Sequence, residues 1–227
     1  MRLKNKLFLP LMLLTMSLMT SCGSSKIYMA RYDVGLTSVE TPSNAKEPYG
    51  DLKITKIEDR ATDNKNNLLL INRYEYSDKY IGITWTYNTT QFEFELKNIS
   101  GHTLKINWDD VTFMDYSGNI SRVMHKGVKY IERENPQGSI SIPNEGRLQD
   151  IILPNSNVYF SKGISGYIPA QWKQKAIIPC YFNNKNDMEK EIANKTWIGR
   201  TVRILFPIEI EGIKNDYTFE FTVNGTY

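Results

Sequence analysis

The chain has 227 residues, of which 41% are hydrophobic and 23% charged, as in an ordinary globular protein. This composition excludes a wholly disordered chain, a collagen, a coiled coil and a multi-span membrane protein. The formal charge of +3 comes from Arg2, Lys4 and Lys6, because 25 basic residues balance 25 acidic ones in the rest of the chain. A neutral chain without a long basic run argues against nucleic-acid binding.

The first 21 residues have the organisation of a signal peptide. The basic segment with Arg2, Lys4 and Lys6 precedes an apolar run of 13 residues that ends at Met19. A membrane-spanning helix needs about 20 apolar residues, and Pro10 also disfavours a permanent helix. The pattern therefore predicts a cleaved signal peptide over residues 1–21.

The tetrapeptide Thr20-Ser21-Cys22-Gly23 follows the apolar run directly. It resembles the lipobox of bacterial lipoproteins, in which small residues precede a cysteine, and the resemblance covers residues 1–22 only. It implies a diacylglyceryl thioether on Cys22, cleavage before that residue and acylation of the new amino group with palmitate-type chains. Two or more acyl chains give stable anchoring to a membrane. Because Gly23 is not Asp, the resemblance also implies the outer membrane, with the protein facing the periplasm.

Residues 22–50 are predicted to be the lipidated cysteine and a tether, because Gly23-Ser24-Ser25 is flexible and residues 41–48 are rich in turn formers. A strand could form within residues 27–34, which leaves open whether this segment joins the sheet. The β domain is predicted over residues 51–227. With Cys22 lipidated, Cys180 has no intrachain partner, and its apolar neighbours predict an inert core thiol.

From residue 51 onward, apolar and polar residues alternate with a period of two. Such alternation is typical of antiparallel sheets with one buried face, and turn-forming residues separate the runs at short spacing. We therefore predict an all-β fold, an antiparallel β-sandwich that is immunoglobulin-like or related. The predicted inward-facing residues are Ile81, Ile83, Trp85 and Tyr87; Phe92, Phe94 and Leu96; Leu104, Ile106 and Trp108; Val202, Ile204, Phe206, Ile208 and Ile210; and Tyr217, Phe219, Phe221 and Val223.

Helical signals are scarce and predict one or two short helices. Asn186 begins a capping box that predicts about two turns over residues 188–194, and Pro169 suggests a single turn over residues 169–175. Pro207 lacks a backbone donor, so the long strand over residues 200–211 is predicted to lie at an edge or to be bulged there.

Motifs for catalysis are absent: there is no glycine-rich phosphate loop, CxxC, HExxH or EF-hand loop. The two histidines, His102 and His125, are interpreted as solvated loop residues. A catalytic triad with His125 would need a Ser or Cys and a carboxylate to converge on it. A metal site that combines a histidine with Asp109, Asp110 or Asp115 is a weaker alternative. We predict no metal, no cofactor and no enzymatic activity.

Aromatic residues, at 12% of the chain, are the remaining candidates for a binding surface. Exposed Tyr and Trp side chains form glycan-stacking platforms or protein hot spots, although β-sheets favour the same residues for packing. The candidates are Tyr74, Tyr76 and Tyr80, which cluster around one predicted turn, and Trp172 and Trp197, which lie at the ends of apolar runs.

Together these features favour a non-enzymatic envelope lipoprotein, held at the membrane by the lipid on Cys22. Its β-sandwich would bind a protein partner or serve as an accessory subunit of an envelope assembly. The alternative is a carbohydrate-binding module that uses the exposed aromatic residues, and a hydrolase is a distant third.

Overall fold

The computed structural model describes residues 26–41, 55–62 and 68–226. Within these residues the fold is all-β, every strand pair is antiparallel, and the sheets are accompanied by one α-helix. The predicted fold class, a sandwich-like antiparallel β protein, is confirmed.

The described part of the chain contains sixteen strands. They are β1 (Tyr28–Met29), β2 (Tyr32–Glu40), β3 (Thr55–Thr62), β4 (Leu68–Ser77), β5 (Ile81–Asn88), β6 (Gln91–Asn98), β7 (Leu104–Asn107), β8 (Thr112–Met114), β9 (Ile120–Met124), β10 (Ser139–Ile142), β11 (Arg147–Pro154), β12 (Val158–Ser161), β13 (Gln171–Gln174), β14 (Tyr181–Phe182), β15 (Thr201–Ile210) and β16 (Ile213–Thr226). The helix α1 spans Lys185–Asn194, and 3₁₀ turns cover Trp108–Asp110, Tyr130–Glu132 and Asn155–Asn157.

The main sheet curls so that two layers face each other across the core. The first layer contains β10, β7, β15, β16 and β2, and the second contains β11, β6, β5, β4 and β3. Strands β8 and β9 connect them, since β8 pairs with β15 and β9 pairs with both β8 and β11. Two small separate sheets complete the fold, β1 with β14 and β12 with β13.

The core is centred on Trp85, which is fully buried. Its ring centroid lies 5.1 Å from that of Phe94, 5.1 Å from Phe219 and 5.5 Å from Phe221. All the predicted inward-facing residues are buried except Tyr87, which is half-buried and packs against the core. Alternation therefore identified the inner faces correctly, because each of these strands has one buried face and one solvent-exposed face.

The N-terminal part of the predicted tether belongs to the β domain, which corrects the boundary at residue 51. Strand β2 pairs with β16 from Tyr32 opposite Thr226 to Glu40 opposite Thr218. Its side chains Tyr32, Val34, Leu36 and Val39 are buried in the core. The described part of residues 22–50 is thus largely sheet. Strand β2 lies beside β16 in the first layer, and its apolar side chains pack into the core.

The two helix predictions had different outcomes. Helix α1 ends at Asn194 as predicted but begins at Lys185, because the side chain of Asn184 caps it by accepting a 2.8 Å hydrogen bond from the Asp187 backbone N–H. The turn predicted over residues 169–175 is wrong. Residues Gln171–Gln174 form β13, because Trp172 pairs across the hairpin with Phe160.

Strand β15 is an interior strand, so the prediction that Pro207 marks an edge or a bulge is wrong. Its register with β16 continues through Pro207 opposite Asp216. On its other side, β8 pairs with residues 203–205 and β7 with residues 209–210. Pro207 falls between them, where the facing chain makes the Trp108–Asp110 turn, so no ladder donor is needed on that side.

Candidate functional site

The proposed lipidation site, Cys22, and the signal peptide lie outside the described residues. No helix within the described part of the chain is long and apolar enough to cross a membrane. Cys180 is a free, buried thiol with 3% exposure, as predicted. Burial raises the pKa of this thiol from 9.0 to about 11, which leaves it protonated and unreactive at neutral pH.

Two of the five candidate aromatics are core residues, which corrects their assignment to a binding surface. Tyr74 and Tyr76 are 5% and 1% exposed, because the alternation of β4 directs both rings inward. The Tyr76 hydroxyl donates a 3.0 Å hydrogen bond to Asp78, which also accepts one of 2.8 Å from Tyr217. Through Asp78, Tyr76 and Tyr217 hold the β4–β5 turn against β16. Because Tyr74 and Tyr76 are buried, neither ring offers a face to a ligand.

The other three candidates are half-buried and lie in different parts of the fold. Tyr80 packs against the main core at the β4–β5 turn. Trp197 follows α1 and packs edge-on against Tyr116, with ring centroids 4.8 Å apart. Trp172 lies in the β12–β13 hairpin, where the Arg133 guanidinium is 5.1 Å from its ring centroid. They do not form the coplanar row that glycan stacking requires.

His125 is not a solvated loop residue, which corrects its interpretation. Its ring stacks on Trp108 with centroids 4.4 Å apart and planes 7° apart, and its side chain is 21% exposed. Its Nδ1 lies 3.5 Å from the Oδ2 atom of Asp150. Oδ1 of Asp150 accepts hydrogen bonds from the backbone N–H groups of Lys126 (2.6 Å) and Ile151 (2.8 Å), so the carboxylate is held in place.

The metal-site alternative finds no support in the described residues, which contain no group of three or more His, Cys, Asp or Glu side chains able to hold an ion. Asp109 instead contacts Arg122 and accepts hydrogen bonds from the backbone N–H groups of Gln137 and Gly138. His102 is exposed, and its Nδ1 lies 2.9 Å from a carboxylate oxygen of Glu211.

A concave polar surface lies on the outer face of the second layer, and we call it the trough. It has a volume of about 690 Å³. Two rows of outward-facing residues cross its strands in register. Arg73, Thr86 and Glu93 form the first row, on β4, β5 and β6, and Glu75, Thr84, Glu95 and Gln149 form the second, which continues to β11.

Charges of both signs line the trough. Four acidic residues (Glu75, Glu93, Glu95 and Asp150) and three basic ones (Arg73, Lys126 and Arg147) contribute to it. Glu95 contacts Arg147 and accepts a 2.9 Å hydrogen bond from Gln149. The Gln149 hydrogen bond first, and the Arg147 contact second, lower the pKa of Glu95, so Glu95 is charged at neutral pH.

The lining of the trough includes no Tyr or Trp among the described residues. Stacking of a glycan relies on such rings, whereas the Glu95–Arg147 pair offers charges and hydrogen-bonding groups that a partner can complement. The alternation of β6 predicted that Glu93 and Glu95 face outward, but it did not predict that curling of the sheet would make their face concave.

Sequence reasoning missed an exposed apolar surface at the end of the β12–β13 hairpin. We call residues 162–170 the tip. Ile164, Tyr167 and Ile168 are 58%, 88% and 45% exposed. The available signal was the glycine-flanked segment Lys162-Gly163-Ile164-Ser165-Gly166-Tyr167-Ile168, in which apolar residues stand among turn formers.

No protein-family model matches the chain, and comparison with curated proteins and with solved structures gives no match. Function must therefore be argued from the surfaces of the molecule.

Proposed function

We propose that this protein is a non-enzymatic lipoprotein of the bacterial envelope whose β domain binds a protein partner in the trough, as an accessory subunit of an envelope assembly. The observation that carries the proposal is the concave, charge-lined face of the second layer. Its floor is the pleated sheet over the Trp85 core, so the charged side chains stand on a rigid support.

The trough supports a protein partner better than a glycan. The carbohydrate-binding alternative required exposed aromatic rings, and Tyr74 and Tyr76 are buried. In the trough, Arg147 and Glu95 are 62% and 34% exposed at the side chain, so a partner can reach both charges. Complementary charges of this kind determine orientation and specificity more than affinity.

The membrane part of the proposal concerns Cys22. If this residue carries the lipid, Tyr28, where β1 begins, is only the sixth residue after it. Six extended residues reach at most about 22 Å. The lipid would then be in the outer membrane, and the β domain would lie close to the periplasmic surface of that bilayer.

The trough is tested by photo-crosslinking in cells that produce the full chain. A photo-reactive amino acid at Thr84, in the trough, should give a discrete protein adduct. The same residue at Thr218 should give none, because Thr218 is a similarly half-buried threonine on the outer face of the first layer.

Charge reversal then tests whether the adduct depends on the trough itself. Arg147→Glu should reduce the Thr84 adduct at least fivefold, because it removes the Arg147–Glu95 pair and adds a fifth acidic group. Arg203→Glu is the matched control, since Arg203 and Glu220 form an equivalent cross-strand pair on the first layer. An adduct that is absent, or that survives Arg147→Glu at equal protein level, would reject the trough as the binding site.

The anchor is tested separately by Cys22→Ala. We expect the full chain to yield a membrane-bound product whose intact mass includes the acyl groups, and the variant to yield an unprocessed or soluble product. Wild-type protein that is soluble and carries an unmodified Cys22 would refute the lipoprotein proposal without affecting the trough.

A further inference from the structure

The tip of the β12–β13 hairpin presents apolar side chains to solvent on an ordered backbone. Ile164 and Ile168 exchange two 2.8 Å backbone hydrogen bonds, and the Tyr167 N–H donates to the Ile164 carbonyl at 3.0 Å. Gly163 has φ +69°, and a Cβ there would collide with the carbonyl oxygen of Ile168. These backbone contacts order the tip, and its three apolar side chains remain exposed on it.

The chain segment that contains the tip carries basic residues and no acidic ones. Residues 151–186 contain no Asp or Glu. Lys162 begins the tip, Lys173 lies on β13, and Lys175 directly follows β13. Lys175 Nζ is 5.6 Å from the ring centroid of Tyr159, which is 40% exposed. The hairpin thus combines an apolar end with basic residues and carries no acidic residue of its own.

The base of the hairpin lies at the same end of the fold as the N-terminal strand. The N–H of Lys175, just after β13, donates to the Asn157 carbonyl at 2.8 Å. Two residues later Ile177 donates to Thr89 (2.8 Å), and Ala30, directly after β1, donates to Cys180 (2.9 Å). The segment after the hairpin therefore passes beside β1, the first described strand.

From these three observations we propose that the tip docks on an anionic phospholipid bilayer. Ile164, Tyr167 and Ile168 would enter the boundary between headgroups and acyl chains, where aromatic and aliphatic side chains are favoured. Lys162 and Lys173, the lysines nearest the tip, would meet the lipid phosphates, and each lysine near such a surface strengthens binding about fivefold. The inference goes beyond the proposed function and does not depend on the trough. Only the third observation, the nearness of β1, rests on the proposed lipid at Cys22.

The test places an environment-sensitive fluorescent amino acid at position 167 of the full chain. The purified protein is reconstituted with phosphatidylcholine vesicles that contain or lack phosphatidylglycerol and carry a spin-labelled quenching lipid. With phosphatidylglycerol we expect a blue shift and quenching at position 167. The same probe at Ile213 should remain unquenched, because Ile213 is an apolar residue, 68% exposed, at the start of β16 and outside the tip.

Lysine variants examine the electrostatic part. Lys162→Gln and Lys173→Gln should each lower the docking constant, derived from the quenched fraction, about fivefold, and added salt should lower it further. Lys105→Gln, on the first layer, is the control and should leave quenching unchanged. Quenching that is equal with and without phosphatidylglycerol, or indifferent to both tip lysines, would overturn the anionic-surface proposal.

Two further outcomes would also overturn it. One is protein that stays with the vesicles while position 167 remains unquenched, or that never associates with them. The other is a photo-reactive residue at position 167 that forms a protein adduct in cells, with no lipid quenching in vesicles, since the tip would then be a protein contact. Arg147→Glu should not change the quenching, so failure at the tip and failure at the trough are separate results.

Discussion

Phe219 is fully buried and has ring neighbours on three strands, Trp85 on β5, Tyr76 on β4 and Phe206 on β15. Phe219→Ala should lower the free energy of unfolding by about 3–5 kcal/mol, because the space left among rings on a rigid sheet cannot close. Phe160→Ala is the control and should cost under about 1 kcal/mol, since Phe160 is 51% exposed. Urea unfolding of both variants measures the difference, and similar losses would contradict the assigned inner face.

Because of Cys180, the free energy of unfolding should depend on pH in the alkaline range. Burial raises its pKa in the folded protein to about 11 from 9.0, so above pH 9 the unfolded chain loses a proton that the folded chain keeps. Stability from this group is therefore complete below pH 9 and declines as the pH rises to about 11. Burial raises the pKa of Tyr32 to about 12, and this residue adds a decline above pH 10.

The measurement is the urea midpoint between pH 7 and 11 for the wild type and Cys180→Ala. The variant should start lower, because it leaves a small cavity, but it should lose less stability between pH 9 and 11. Parallel curves would show that Cys180 ionises alike in both states.

Gly35 allows β2 to lie against Tyr74. A Cβ at this position would overlap the Tyr74 hydroxyl and lie 2.7 Å from Asn224 Nδ2. Because Tyr74 is buried, its ring has no room to move, and Gly35→Ala should cost about 1–3 kcal/mol. Gly225→Ala is the matched control on the paired strand, where nothing lies within 4 Å. It should be neutral or stabilising by up to about 1 kcal/mol. Equal thermal shifts for the two variants would contradict this close approach.

Among the strands, the β12–β13 hairpin should open independently of the main sheet. Among the described strands it pairs only with itself. It is held by a small second core of Met124, Leu153 and Val158, against which Trp172 packs. Trp172→Ala should raise hydrogen exchange over residues 158–174 at least tenfold while β15 and β16 keep their protection. Mass spectrometry of peptides measures this. Tyr159→Ala, on the opposite face, is the control, and a uniform rise throughout the sheet would refute independent opening.

Local signals predicted the strands better than the connections between them. The alternation of β15 and β16 is clear in the sequence, but the turn formers Asn215 and Asp216 predict a turn over residues 214–216. The chain in fact turns at Glu211 and Gly212, both with positive φ, and residues 214–216 continue β16. A long antiparallel ladder offset the weak strand preference of Asn215 and Asp216, because ladder bonds and cross-strand contacts outweigh local propensity.

For the molecule as a whole, β2 should be essential to folding. It supplies four buried side chains and the partner of β16 along most of its length. A chain that starts at residue 26 should keep its sheet circular dichroism and a cooperative transition. One that starts at residue 51 should lose the cooperative transition, because β16 would have an open apolar edge. A cooperative transition in both chains would restore the domain boundary first predicted from sequence.

The sequence alone was enough for the all-β class and for the side chains that fill its core. Both follow from a period of two, which is a local property of strands that have one covered face. Which strands become neighbours could not be read in this way. The passage of β8 and β9 between layers and the position of β2 depend on contacts between residues far apart in the chain. The same holds for the surfaces proposed for binding. The trough exists because curling brings charges of β4, β5, β6 and β11 to one concave face, and the tip is exposed because no other described strand covers that hairpin.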